Sequence, residues 1–326
     1  MRFAIIGTNF ISDWFATGAQ RVNGAELSAV YSRKLDTGRT FADKYGIESV
    51  YTDLEEMLLS DKVDAVYVAS PTFLHKEHSI AALKHGKAVL CEKMIAASLS
   101  EFEEMLEAKT QHGGTLIEAM RPDFDPAFAV LRKNLNAIGK IRRASFEFCQ
   151  YSSRYDAFLE GEVKNAFDPK MKNSALADIG IYPLHVCISL FGDPRSVSSH
   201  SVFLHNGFEG SGSILLGYED MTATVTYSKI SASVNPSVIE GELGSITVDK
   251  INAPSRIVLT LRGKEPVELP FESREHNMEY EIEEFIKIAE GKSEAARAYG
   301  AALLQASHDT MKVVGKVYAC SGIKFD

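Results

Sequence analysis

Over the first 120 residues, short apolar runs alternate with stretches patterned like helices. Phe3 to Ile6, Leu27 to Tyr31, Val63 to Ala69, Ala88 to Cys91 and Leu116 to Ala119 are the strand candidates. Runs this apolar, separated by helical segments, predict a doubly wound parallel sheet covered on both faces. The intervening stretches carry helix-end signals. Thr52-x-x-Glu55 and Ser98-x-x-Glu101 read as capping boxes, and Gly46, Gly86 and Gly113 stand where helices should stop.

After Pro126 the pattern changes, with Asp125 placed to cap a short helix. Ile141 to Gln150 alternates, and Arg195 to Phe203, Ser213 to Tyr218, Thr222 to Lys229, Val238 to Glu242, Ile257 to Leu261 and Val267 to Phe271 read as antiparallel strands. A helix over about Ile179 to Phe191 interrupts them. Two more close the chain, roughly Asn277 to Ala289 and Ala301 to Ala319, the first apolar at Tyr280, Ile282, Phe285, Ile286 and Ala289. The expected fold class is α/β followed by α+β, cut into domains 1-121 and 122-326, with the C-terminal helices able to pack back on the first.

A chain of 326 residues, 45% apolar and 24% charged, has ample core for two domains. Its formal charge of −9, with dispersed basic residues, argues against a nucleic-acid partner, since phosphate neutralisation needs clustered Lys and Arg. Cys91, Cys149, Cys187 and Cys320 are widely spaced and form no C-x-x-C pair, which predicts reduced thiols without a zinc site. The apolar stretch at Phe3 is too short for a secretory leader, and no later run is long enough for a bilayer. The expectation is a cytoplasmic protein without a membrane partner.

Candidate chemistry begins where the first strand turns into a helix. Gly7-Thr8-Asn9-Phe10-Ile11-Ser12 is an imperfect G-x-G-x-x-G, with Asn9 for the second glycine and Ser12 for the third. Backbone amides and the helix dipole at such a turn hold a pyrophosphate, and Asn tolerates a left-handed backbone. A tight turn without a ligand is the alternative. The second strand leads into Ser32-Arg33-Lys34 instead of an acid. A hydroxyl and two cations accept a 2′-phosphate, which favours NADP over NAD, whereas a solvated basic turn would carry no preference. Ser70-Pro71-Thr72, then Leu74-His75, follow another strand at the carboxyl edge, where a cofactor passes. His75 and His78 read as helix-surface residues, and no metal site is expected because no further ligand stands at the right spacing.

Two further fragments carry reactive groups. Val89-Leu90-Cys91-Glu92-Lys93 delivers a lysine to the sheet edge, where it either pairs with Glu92 or reaches a substrate. Asp178, Tyr182 and His185 lie at i, i+4 and i+7 on an otherwise apolar helix, with Gly180 between them. That polar stripe must meet water, a partner or a ligand unless the Asp serves the helix dipole and the Tyr and His are satisfied in the core.

These fragments together resemble the glucose-fructose oxidoreductase, inositol dehydrogenase and rhizopine-catabolism (Gfo/Idh/MocA) oxidoreductases. The resemblance rests on Ala4-Ile-Ile-Gly7, Ala69-Ser-Pro-Thr72 with Leu74-His75, Gly86-Lys-Ala-Val-Leu-Cys-Glu-Lys93, Asp178-Ile-Gly-Ile-Tyr182 and Glu279-Tyr-Glu-Ile-Glu-Glu-Phe285. It implies a Rossmann domain, a C-terminal α+β domain with a large mainly antiparallel sheet that often forms a subunit interface, an active site between the two, and NAD(P). A homo-oligomer, dimer or tetramer, follows as an expectation. By family pattern Lys93 contacts the substrate hydroxyl and nicotinamide ribose, and Asp178 orients the reacting group. Tyr182 stands where many members carry histidine, as in the branch with glucose-fructose oxidoreductase and the dimeric dihydrodiol dehydrogenases, which tends towards NADP. Met94 replaces the usual Pro, and Arg121 and Asp123 also depart from that branch.

The implied reaction transfers hydride between nicotinamide and a CH–OH or C=O group of a sugar, polyol or cyclic diol. A free phenol titrates near 10, so the Lys93 ammonium is needed to stabilise phenolate on Tyr182, and Asp178 would orient that cation. His185 is the second choice for proton carrier. Two other functions stay open: a catalytically inactive dinucleotide sensor, since the family includes a galactose-pathway repressor, and an enzyme that never releases its nucleotide.

Overall fold

A computed structural model describes residues 1–325. The chain forms two compact units, residues 1–124 with 274–305, and residues 125–273 with those from 306 on.

In the first unit β1 (Arg2–Ile6), β2 (Glu26–Tyr31), β3 (Ser49–Tyr51), β4 (Ala65–Val68), β5 (Ala88–Glu92) and β6 (Leu116–Ala119) pair in the order β3-β2-β1-β4-β5-β6. Every pairing is parallel, as the apolar runs predict. The order reverses between β1 and β4, so the carboxyl ends of these two strands flank the switch point where doubly wound sheets bind ligands. β3 escaped the sequence reading because three half-buried edge residues make no period. Asp53, not Thr52, caps the next helix, its carboxylate accepting the Glu56 amide at 2.9 Å. Ser98 does cap as expected, accepting from the Glu101 amide at 3.2 Å.

The helix Met278–Glu290 places Met278, Ile282 and Phe285 in the same core as Phe3 and Phe15, with the Phe3 and Phe285 rings 5.9 Å apart. Residues 274–305 therefore belong to the first unit, and one cut after residue 121 does not separate the two.

The second unit holds β7 (Ile141–Cys149), β8 (Ser196–Phe203), β9 (Glu209–Gly217), β10 (Thr222–Ser228), β11 (Ser237–Gly241), β12 (Gly244–Val248), β13 (Ile257–Leu261) and β14 (Val267–Glu268). Their order is β14-β13-β12-β11-β7-β10-β9-β8. β7 and β10 pair in parallel and all other neighbours are antiparallel. β12 was not foreseen, since its Gly244-Ser245 opening reads as a turn. A five-residue π-helix, Leu176–Gly180, leads into the α-helix Ile181–Phe191. Gly180 is required by close approach, because a Cβ there would lie 2.6 Å from the Tyr227 ring. No helix among the described residues is long and apolar enough to cross a membrane.

One buried group in the first unit is costly. Glu281, on the helix Met278–Glu290, is fully buried, and neither carboxyl oxygen has a hydrogen-bond partner. Burial pushes its carboxyl up to about 8, with Glu92 adding to the rise and Arg121 opposing it. An acid raised in this way is neutral in the fold, so stability is highest below the ordinary Glu range and falls as pH rises to the folded value. Glu281→Gln mimics the neutral acid. The variant should match the parent near pH 4.5 and gain on it up to pH 8, by an amount on the order of a few kcal/mol. Paired thermal melts across that range test this; a gap that does not widen with pH refutes it.

Candidate active site

The turn after β1 is built by contacts with the β4 loop. Gly7 has φ +109, and a Cβ there would lie 2.8 Å from the Ala69 carbonyl oxygen. That same oxygen accepts the Asn9 side-chain amide at 2.8 Å. Asn9 itself is extended, at φ −91, so it does not supply a left-handed residue. It instead caps the helix Phe10–Ala19, its Oδ1 accepting from the amides of Ile11 and Ser12 at 3.0 and 3.2 Å. Two helix-start donors are thus occupied, and a pyrophosphate at this turn would draw on the amides of Thr8, Asn9 and Phe10. Ser12 is fully buried, which fits its reading as the small residue that lets helix and strand approach.

The next loops join this turn. His75 and His78 are buried, not on the helix surface as expected. The His75 ring spans two backbone carbonyls, Met94 at 2.9 Å from Nδ1 and Ser70 at 2.8 Å from Nε2. Burial lowers its imidazole to about 4, so at neutral pH the ring has one N–H and donates to one carbonyl at a time. His78 meets the Ser70 hydroxyl at 2.9 Å and packs edge-on to Tyr31 at the end of β2. Burial likewise takes His78 to about 4, with Arg33 adding to the drop. Both histidines are structural ties between loops. Ser32 is buried, while Arg33 and Lys34 are exposed. Thr72–Leu74 forms a 3-10 turn started by Pro71. Among the described residues no group of three His, Cys, Asp or Glu side chains is arranged to hold a metal.

Lys93 leaves the end of β5. Glu92 is buried and receives the Tyr67 hydroxyl at 2.6 Å and the Lys93 amide at 3.2 Å. Burial raises the Glu92 carboxyl, and the Lys93 and Arg121 charges pull against that rise. The Lys93–Met94 peptide bond is cis, with Met94 in the position where Pro was expected. Glu118 accepts the Ile95 amide at 2.9 Å, closing this loop.

In the second unit, the predicted stripe divides. Asp178 lies in the π-helical turn and Tyr182 and His185 in the α-helix, so the 3.6-residue phase that placed all three on one face is broken between them. His185 is fully buried, and its Nδ1 meets the Thr310 hydroxyl at 3.1 Å. That contact ties the helix Ile181–Phe191 to the helix that carries Thr310. Tyr182 is 4% exposed and packs edge-on to Phe148. Asp178, with its side chain 38% exposed, pairs with Lys229, whose ammonium stands 2.7 Å from Oδ2. Within this unit the cation at Asp178 is therefore Lys229, where the sequence reading had Lys93 alone. A signal for Lys229 was present: it continues the inward series Ala223, Val225, Tyr227 by two residues, a lysine on the apolar face of a strand.

A glycine turn after the first strand of a doubly wound parallel sheet is the arrangement of a dinucleotide-binding domain. Residues 1–120 match a family model described as "Oxidoreductase family, NAD-binding Rossmann fold", and residues 134–247 match the GFO/IDH/MocA C-terminal domain. A scyllo-inositol 2-dehydrogenase (NADP(+)), IolU of Bacillus subtilis, is 43% identical over 296 residues, covering 90% of each chain. The trans-1,2-dihydrobenzene-1,2-diol dehydrogenase of Mus musculus is 29% identical over 272 residues, 81% of this chain and 79% of that one. Among solved structures, KijD10, a 3-ketoreductase from Actinomadura kijaniata in complex with NADP, has the same fold, with a TM-score of 0.84 at 22% identity over 98% of both chains. The chain belongs to the Gfo/Idh/MocA family and is an oxidoreductase acting on CH–OH donors.

The Gly7 contact sets a test of the nucleotide turn. Gly7→Ala places a methyl against the Ala69 carbonyl on a backbone that L residues rarely adopt, at a cost of about 1–3 kcal/mol. The variant should therefore melt lower and lose nucleotide binding together, both read by thermal melting and NADPH fluorescence titration. Wild-type affinity would show that the phosphate site is elsewhere.

Proposed function

We propose that the protein transfers hydride between NADP(H) and a ring CH–OH or C=O carbon of a cyclic polyol, with sugars and cyclic diols as neighbouring candidates. The observation that carries the substrate class is the 43% identity, over 90% of each chain, to an enzyme named for scyllo-inositol and NADP(+). The nicotinamide, when bound, accepts or supplies the hydride. Gly7, Thr8, Asn9 and Phe10 line the phosphate turn, and Ser70, Pro71 and Thr72 form the loop beside it.

Lys93, Asp178 and Tyr182 are the residues the family pattern assigns to the reacting hydroxyl. Lys93 stabilises charge on the reacting oxygen, and Tyr182 exchanges the proton there. Asp178 orients the hydroxyl, held by its own buried cation. Glu92 holds the Lys93 segment through its amide contact. We further infer a cytoplasmic homo-oligomer, since Cys91 and Cys187 are buried free thiols and the family commonly assembles through the large sheet. A screen of inositols, sugars and diols against NADP⁺ and NAD⁺, followed at the reduced nicotinamide band, tests the assignment as a whole; no turnover with any of them would remove it.

The exposed Arg33 beside Ser32 is the proposed contact for a 2′-phosphate. Arg33→Ala should weaken NADPH binding far more than NADH binding, by roughly 1.5–3 kcal/mol. An equal loss for both nucleotides would transfer the preference to another residue.

Tyr182→Phe keeps the buried ring and removes only the hydroxyl. It should lower kcat by about 10²- to 10⁴-fold with nucleotide affinity little changed. His185→Asn, in a group held by Thr310, should instead act mainly on stability. Turnover retained in Tyr182→Phe and lost in folded His185→Asn would reverse the assignment.

A further inference from the structure

Lys229 is 3% exposed, at the end of β10, with no bulk water to solvate its ammonium. Its Nζ donates to the Asp178 carboxylate at 2.7 Å and to the Ala166 carbonyl at 2.7 Å. Two aromatic rings also face it, with the Phe167 and Phe208 centroids 4.9 and 5.2 Å away. Those rings are themselves in contact, 5.0 Å apart, and join Phe158 in a small separate core.

A buried ammonium is stable only with an anion and with its remaining protons bonded, and ring faces add a smaller attraction. Lys229 obtains these from three different segments: the π-helical turn with Asp178, the 3-10 turn Asn165–Phe167, and the loop ahead of β9 with Phe208. Its own backbone is fixed, the amide donating to the Gly210 carbonyl and the carbonyl accepting from Ser152, both at 2.9 Å. The ammonium is thus anchored from behind. The Asp178 carboxylate, by contrast, is partly exposed on a one-turn π-helix, where water could otherwise rotate it.

We propose that Lys229 is a positioning residue of the reaction: through the Oδ2 contact it fixes the Asp178 carboxylate and ties the Asn165–Phe167 turn to it. This rests on the assignment of Asp178 given above. Replacing the ammonium by a methyl removes the Oδ2 contact from Asp178 and the Nζ donor from the Ala166 carbonyl.

The test is a double-mutant cycle of Lys229→Met and Asp178→Asn, assayed with NADP⁺ and the polyol selected in the screen. Lys229→Met should lower kcat by about 10- to 100-fold in the parent, within the range of coupling seen for groups in direct contact, and by less than about 3-fold in the Asp178→Asn background. NADPH affinity, from fluorescence titration, should stay within about 2-fold in every corner of the cycle. A purely structural lysine would depress kcat by the same factor in both backgrounds, and that result overturns the proposal. So does full kcat in Lys229→Met. If Asp178→Asn keeps the parent's kcat, the role given to Asp178 fails first and this inference falls with it; if Asp178→Asn is damaging and the two losses simply multiply, only this inference fails. Should Lys229→Met not fold, Lys229→Arg keeps the cation and shifts its position, and the same cycle and criteria apply.

Discussion

A strand buried on both faces cannot carry a charge along its length, because its backbone groups are committed to the ladder and its side chains meet only apolar neighbours. Charge is admitted where the strand ends. That constraint organises the first unit. β1, β4 and β5 are almost wholly buried until their last residues, and the chemistry begins directly after each: Gly7 after β1, Ser70 after β4, Glu92 and Lys93 at the end of β5. The parallel pairing brings these ends to one edge, and the reversal of strand order between β1 and β4 opens that edge. Glu92, which remains buried there, is tied down by the Tyr67 hydroxyl and the Lys93 amide.

The same rule is met differently in the second unit, where the sheet is mixed. β10 alternates, and its inward series ends on an ammonium instead of an apolar side chain. A lysine at that place must import an anion, and the chain supplies Asp178 by inserting a π turn ahead of the helix Ile181–Phe191. The turn sets Gly180 against the Tyr227 ring. The amides of Leu176 and Ala177, in its first turn and without intrahelical acceptors, are taken up by Glu209 and Ser174 at 2.9 and 3.0 Å.

The strand ends were legible in sequence because apolar runs and glycines mark them directly: β1, β2, β4, β5 and β6 fall where the pattern puts them. The short edge strand β3 and the glycine-led β12 were not, since neither holds enough residues to display a period. The cap at Asp53 was displaced by one residue from Thr52, a shift that spacing alone does not resolve. Side-chain roles were harder to read. His75 and His78 are polar residues on a helix of low apolar contrast, and nothing local says that their partners are Ser70 in the preceding loop and, for His75, the Met94 carbonyl of the next one. Asp178, Tyr182 and His185 were placed on one face by assuming an α-helix throughout. The π turn removes that assumption, and His185 lies fully buried against Thr310. Lys229 was overlooked although its position in the alternation is anomalous; strand membership was read there, and the single charge on the inner face was not.

His75 shows how loops that look independent in sequence become one device. Its ring touches the Ser70 carbonyl in the loop after β4 and the Met94 carbonyl in the loop after β5. The nucleotide loop and the Lys93 loop therefore share one rigid spacer. A lysine or arginine could not serve, because a permanent cation at full burial would need an anion and would compete with Lys93 for Glu92. An aliphatic residue would leave both carbonyls unpartnered. A neutral imidazole donates to one of them at a time, according to its tautomer, and adds no charge beside Lys93. Burial raises both the Glu92 and the Glu281 carboxyls, and Arg121 opposes the rise at each, so the two buried acids of the first unit are coupled through one guanidinium.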